Sequence, residues 1–161
     1  MTTRSSSLKN KSVLITGAAR RIGASMATCL HDQGMNIIVH YRQSAEQAQT
    51  LCEKLNQKRP NSARLCQGEL KTVADCEQIA SDAIETFGRL DALINNASAF
   101  FPTPIGKATH SDWEELLNVN LKAPFFLSQA CTPSLRERQG SIINLTDIYA
   151  EKPLAGHPIY S

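Results

Sequence analysis

"SVLITGAARRIG", Ser12 to Gly23, packs a strand, a turn and a helix start into twelve residues. Val13, Leu14 and Ile15 are consecutive apolar residues with no polar alternation, in a run too short for a helix. Such a run reads as a strand buried on both faces, as in a parallel sheet. Gly17 and Gly23 bracket the turn that follows. From Arg20 to Gln33 the pattern becomes helical, with Ile22, Met26, Ala27 and Leu30 on one side and Gly34 as the stop. A glycine turn between a strand and a helix lets backbone N–H groups and the helix N-terminus meet an anion. Without its context, the same turn is merely a tight connection with incidental glycines.

The rest of the chain repeats this unit. "MNIIVHY" (35–41) reads as a second strand and 44–58 as a helix that Pro60 cannot continue. "SARLCQ" (62–67) is a third strand, 73–87 a third helix ending at Gly88, and "LDALINNA" (90–97) a fourth strand. The Pro-rich loop "FFPTPIGKAT" leads to a long helix expected from near Ser111 toward Ala130, and "SIINLT" (141–146) is a fifth strand. Alternating strands and helices with short connections predict an α/β fold: a Rossmann-like, doubly wound parallel sheet with helices on both faces.

Bulk properties narrow the function. The 161 residues carry a net charge of +2, too small to argue for nucleic acid or an acidic membrane surface. No stretch approaches a membrane span. The five cysteines are scattered without a CxxC pair, which suits reduced thiols in a cytoplasmic protein and offers no metal site. The polar residues 1–11 predict a flexible tail, leaving 12–161 as one nucleotide-binding domain.

The second strand bears on which nucleotide. A dinucleotide site selective for a free ribose 2′-OH wants an acid about 20 residues after the glycines. Here "HYRQS" (40–44) has none, and Glu46 is the first. Arg21 and Arg42 are instead available to a 2′-phosphate, which suits guanidinium geometry. The reading is NADP(H), against the plainer one that both arginines solvate a surface.

Taken together, "TGAARRIG", "DALINNAS", the "NVN" of Asn118–Asn120 and Tyr160 resemble the short-chain dehydrogenases/reductases from about Ser12 to the last residue. "HYRQSAEQA", "NNASAFFPTP" and "PLAGHPIY" are more narrowly similar to pteridine reductases, including dihydromonapterin reductases. So are Arg21 in place of the usual third glycine and Asp147 where most of the family has serine. The resemblance implies that Gly17, Arg21, Ile22 and Gly23 bind the pyrophosphate side of NADPH. It implies that His40, Tyr41, Arg42 and Ser44 surround the 2′-phosphate, and that Glu69 and Leu70 border the adenine, Glu69 standing where relatives commonly have Asp. Asn96, Ala97 and Ser98 then lie along the ribose and nicotinamide. Phe100 stacks on a pterin-type substrate, and His157 lines its pocket where tyrosine is common. Asn120 becomes a water-holding link to an active-site lysine. Relatives commonly form tetramers, so a homo-oligomer is implied for the full-length protein.

Asp147 and Tyr160 are the expected catalytic pair. An isolated tyrosine, with a pKa near 10, is a poor acid–base catalyst unless its surroundings assist. A carboxyl group beside an apolar ring pocket can become a proton source or relay. The plainer alternatives are a turn cap for Asp147, a half-buried core residue for Tyr160, and a solvated polar residue for Asn120. The expected activity is NADPH-dependent reduction of a pterin or dihydropterin. Other readings are reduction of a carbonyl substrate and a non-catalytic NADP-binding unit. The resemblance places the partner lysine at position 164. The sequence is therefore expected to be the N-terminal portion of a longer reductase, with C-terminal strands missing and catalysis by these residues alone severely impaired.

Overall fold

The computed structural model describes residues 8–161. Five strands form one parallel sheet: β1 (Ser12–Ile15), β2 (Asn36–Tyr41), β3 (Ala63–Gln67), β4 (Ala92–Asn95) and β5 (Ser141–Asn144), in the order β3-β2-β1-β4-β5. The order reverses at β1, so the crevice beyond the strands' C-terminal ends opens between the β1 and β4 turns. The helices are α1 (Arg21–Asp32), α2 (Ala45–Lys58), α3 (Val73–Phe87), α4 (His110–Leu117) and α5 (Ala123–Arg138).

Side-chain alternation along the strands builds two cores. Val13, Ile15, Ile37 and Val39 pack with Ala27 of α1 and Leu51 and Leu55 of α2. Leu14, Ile38 and Leu93 point the other way, onto Ile79 of α3 and Leu127 and Leu135 of α5. Leu14, Ile37 and Leu93 are fully buried, and each such side chain contributes about 1.5–3 kcal/mol. β5 is different: all four residues are exposed, with Ile142 and Ile143 open to solvent on the sheet edge.

The structure departs from the sequence expectations in two places. The long helix starts earlier and ends later than 111–130. Thr109 and Asp112 form a reciprocal capping box ahead of His110, and α5 continues through Pro133 to Arg138. Buried Cys131 and Leu135 hold that last part on the core, which outweighs the hydrogen bond Pro133 removes. Between α4 and α5 the helix makes a π turn over Asn118–Lys122. Of the tail expected over 1–11, residues 1–7 lie outside the described residues, and Leu8 to Lys11 are anchored. Leu8 packs on the core, and the Asn10 N–H donates to the Gly34 carbonyl at 3.0 Å.

At the opposite end of the sheet from the crevice, buried Asp91 locks β4 to β1. Its carboxylate accepts from the Ser12 N–H and from Arg89 Nε, both at 2.8 Å. Burial pushes this carboxyl up, but the Arg89 guanidinium and the Ser12 N–H outweigh it and hold the pKa below the usual value. A lowered folded-state pKa contributes stability above the unfolded pKa and loses it as pH falls through the folded one. Asp91→Asn is therefore expected to cost about 1–3 kcal/mol at pH 7. Thermal melts should show the gap to wild type closing as pH drops below about 4.

Candidate active site

Two clefts meet at Ala97 and Ser98 above the C-terminal ends of β1 and β4. The first, about 610 Å³, runs from the β1–α1 turn across the ends of β2 and β3. Gly17, Arg21, Ile22, Gly23, His40, Tyr41, Arg42, Ser44, Leu70, Asn96, Ala97, Ser98 and Phe100 all border it. Residues the sequence brought forward one motif at a time thus share one groove. Glu69 stands just outside, facing Arg42.

The turn is built by close approach. Gly17 takes φ +63°, and a Cβ there would lie 3.1 Å from the Ala97 Cα. A Cβ on Gly23 would lie 2.5 Å from the Gly17 carbonyl oxygen. Asn96 Nδ2 donates to the Thr16 carbonyl at 2.7 Å and to that of Gly17 at 3.2 Å. Thr16 Oγ1 in turn accepts from the Asn96 and Ala97 N–H groups at 2.9 Å. Arg21, where the family's usual turn has glycine, takes φ +51°, a left-handed conformation costing a side-chain-bearing residue about 1–2 kcal/mol. The strain sits at the first residue of α1, where the helix N-terminus faces the groove.

Two of these residues are held by contacts with each other. Gly17 does not offer its N–H to the groove: that hydrogen goes to His40 Nδ1 at 3.2 Å. His40 borders the groove but is 2% exposed, its ring packed behind the turn. The rim belongs to Arg42 and Ser44. Arg42 lies 4.0 Å from Glu69 and 3.9 Å from Glu115, and Lys71 lies 3.3 Å from Glu69. Glu115, on α4, carries no motif, and only the tertiary fold brings it to this groove. These pairs are half-exposed, so they orient Arg42 with little net stabilisation. The cradle fits a dinucleotide: bare glycine backbone, a helix N-terminus, and a cationic rim.

The second cleft, about 830 Å³, lies between α5 and β5 and holds Asn120, Asp147 and Tyr160. Tyr160 Oη donates to Asp147 Oδ2 at 3.0 Å, so the expected pair is in contact. Burial raises the Tyr160 pKa, the Asp147 carboxylate raises it further, and the Ser98 hydroxyl pulls it down. The phenol is thus held protonated, as a weaker acid than a free tyrosine, so these surroundings keep the proton in place without activating it. Asp147 also accepts from the Tyr149 N–H at 3.1 Å, so the turn-capping alternative and the pairing coexist in one carboxylate.

Asn120 sits in the π turn and clamps the loop after β4. Its Oδ1 accepts from the Ala99 N–H at 3.0 Å and its Nδ2 donates to the Ala99 carbonyl at 2.8 Å. Both ends of its amide are spent on backbone, which fixes Ser98 and Phe100 on either side. Phe100 is 52% exposed and meets the Tyr160 ring edge-on at 4.9 Å. His157 stacks on Phe100 at 4.7 Å with planes 6° apart. Buried Thr103 ties this loop to the chain's last turn, donating its N–H to the Gly156 carbonyl at 2.8 Å. Among the described residues, no group of three or more His, Cys, Asp or Glu could hold a metal ion. No helix among them is long and apolar enough to cross a membrane.

Comparison with known proteins agrees with this architecture. Residues 11–161 match a family model described as short chain dehydrogenase. The chain is 34% identical to Pteridine reductase 1 of Leishmania tarentolae, over 92% of this chain and 64% of that protein. It is also 34% identical to the 3-oxoacyl-acyl-carrier-protein reductase FabG of Staphylococcus epidermidis, over 86% of this chain and 57% of that protein. An uncharacterized oxidoreductase of Staphylococcus aureus is 28% identical over 96% of this chain and 65% of its own length. The chain therefore spans under two thirds of the length of these relatives. With the reversed parallel strand order, the glycine turn at its switch point and a match running to the last residue, the chain belongs to the short chain dehydrogenase family.

Proposed function

We propose that this chain forms the cofactor-binding and proton-delivering part of an NADPH-dependent reductase acting on a pterin or dihydropterin. The carrying observation is the Tyr160–Asp147 hydrogen bond, 3.0 Å long, beside the exposed Phe100 ring. When bound, NADPH supplies a hydride for a carbon–nitrogen double bond. The chain's part is the proton that the ring nitrogen needs. Tyr160, its pKa raised, keeps that proton through neutral pH, and Asp147 orients the hydroxyl and passes a replacement from solvent. Asn120 holds the Ala99 backbone so that Ser98 and Phe100 face the reacting ring. Phe100, with His157 stacked on its ring, leaves about half of its surface open to a heteroaromatic substrate. The likeness to Pteridine reductase 1 supports the same substrate class.

A second reading, reduction of a carbonyl group, draws on the equal identity to the FabG relative. Asp147 favours the first, since it stands where most of the family has serine and where the resemblance to pteridine reductases has aspartate. Assay of the full-length protein with NADPH against a dihydropterin and a 3-ketoacyl thioester separates them. Turnover of the dihydropterin alone supports the proposal; turnover of the thioester alone rejects it.

Cofactor choice rests on Arg42. Losing a hydrogen-bonded charge pair to a 2′-phosphate costs about 1.5–3 kcal/mol, so Arg42→Ala should weaken NADPH binding about 10- to 100-fold. NADH affinity should stay within about twofold, since that ligand lacks the group Arg42 would meet. Parallel fluorescence titrations of both nucleotides check this. Equal loss for both would place Arg42 in the fold rather than at the phosphate.

A further inference from the structure

We propose that His40 is a positioning residue of the nucleotide turn, its neutral imidazole holding the Gly17 amide so that the helix N-terminus beyond it faces the pyrophosphate. This rests on the nucleotide reading above. Three observations carry it. The Gly17 N–H donates to His40 Nδ1 at 3.2 Å, and the Ala18 N–H donates to the His40 carbonyl at 2.9 Å. One residue of β2 therefore takes the first two amides of the turn, removing both from the set available to an anion. The amides at the first turn of α1, which have no partner within the helix, are left to meet it. Gly17 is also the left-handed residue of the turn, so fixing its N–H fixes where the chain goes next.

The bond dictates the tautomer. Nδ1 accepts, so the proton resides on Nε2, which faces the Gly68 backbone without reaching hydrogen-bond geometry. Protonating Nδ1 would set two donors against each other. Burial prevents this by lowering the His40 pKa to about 4, with Gly68 and Glu69 pulling the other way. A histidine at the strand end is thus used as a fixed acceptor rather than as a charge for the phosphate.

The test compares three variants of the full chain by NADPH titration, with thermal melts alongside. Asn places its amide oxygen where Nδ1 stands, whereas Gln reaches the Nε2 position and Phe keeps the bulk without an acceptor. His40→Asn should bind NADPH within about twofold of wild type. His40→Gln and His40→Phe should each lose about tenfold, equivalent to about 1.4 kcal/mol. Imidazole ¹⁵N shifts of the wild-type chain should show the Nε2–H tautomer at neutral pH. Equal affinity in all three variants, equal loss in Asn and Gln, or an Nδ1–H tautomer overturns the inference. Should the Phe variant fail to fold, the Asn–Gln comparison and the tautomer decide it. A wild-type chain that binds no NADPH overturns the cofactor reading, and this inference with it.

Discussion

On the proposed function, Tyr160→Phe is expected to lower NADPH-dependent turnover by about 10²- to 10⁴-fold, the range for losing a positioned general acid. The substitution removes one oxygen and keeps the ring, so the edge-on contact with Phe100 survives. On the proposed reading NADPH is held chiefly along the groove of the glycine turn, so its affinity is expected to change little. Asp147→Asn tests the second half of the pair. It keeps an acceptor within reach of Tyr160 Oη but removes the charge that raises the phenol pKa. Activity carried by a protonated phenol holds through neutral pH and is lost as pH rises through its pKa. With Asp147 neutralised, that alkaline limb should move to lower pH. A pH profile of kcat/KM that does not move, or a Tyr160→Phe variant with full turnover, would show that the proton comes from elsewhere.

Gly23→Val should both loosen the fold and weaken nucleotide binding. The first carbon added at Gly23 would meet the Gly17 carbonyl oxygen at 2.5 Å, Asn96 Nδ2 at 2.8 Å and the Ala18 Cα at 2.9 Å. Two of these are backbone atoms of the turn itself, so relief requires moving the anion-binding loop. Asn96 would also lose its grip on Thr16 and Gly17. Overpacking of this kind costs about 1–3 kcal/mol, and the expected loss of NADPH affinity exceeds tenfold. A fall of about 2–4 °C in Tm per kcal/mol should accompany it. Gly88→Asn serves as the contrast: nothing lies within 4 Å of a Cβ there, and asparagine tolerates its left-handed φ. That variant should leave NADPH binding untouched.

The parallel sheet and its helices were legible because their signals are local. Val13 to Ile15 and Ile37 to Val39 are apolar without break, and Gly17, Gly34 and Gly88 stand where the chain turns left-handed. Asp147 and Tyr160 were legible as a pair because the short stretch between them spans one turn-rich segment. Helix ends were harder. The long helix was expected to run toward Ala130, yet α5 continues to Arg138, since the core contacts of Cys131 and Leu135 leave no local trace.

What the sequence by itself determined was the fold class, the glycine turn and the residue types around each cleft. Those follow from apolar periodicity and from backbone preference, which act over a few residues. The tertiary structure alone decided how those residues are used. It turned His40 inward to hold Gly17, brought Glu115 from α4 beside Arg42, laid His157 on Phe100, and spent both ends of Asn120 on Ala99. Each of these is a contact between segments at least 20 residues apart in the chain. Such contacts are selected by burial and by the need to pair polar groups once the sheet has formed, and no local pattern encodes them.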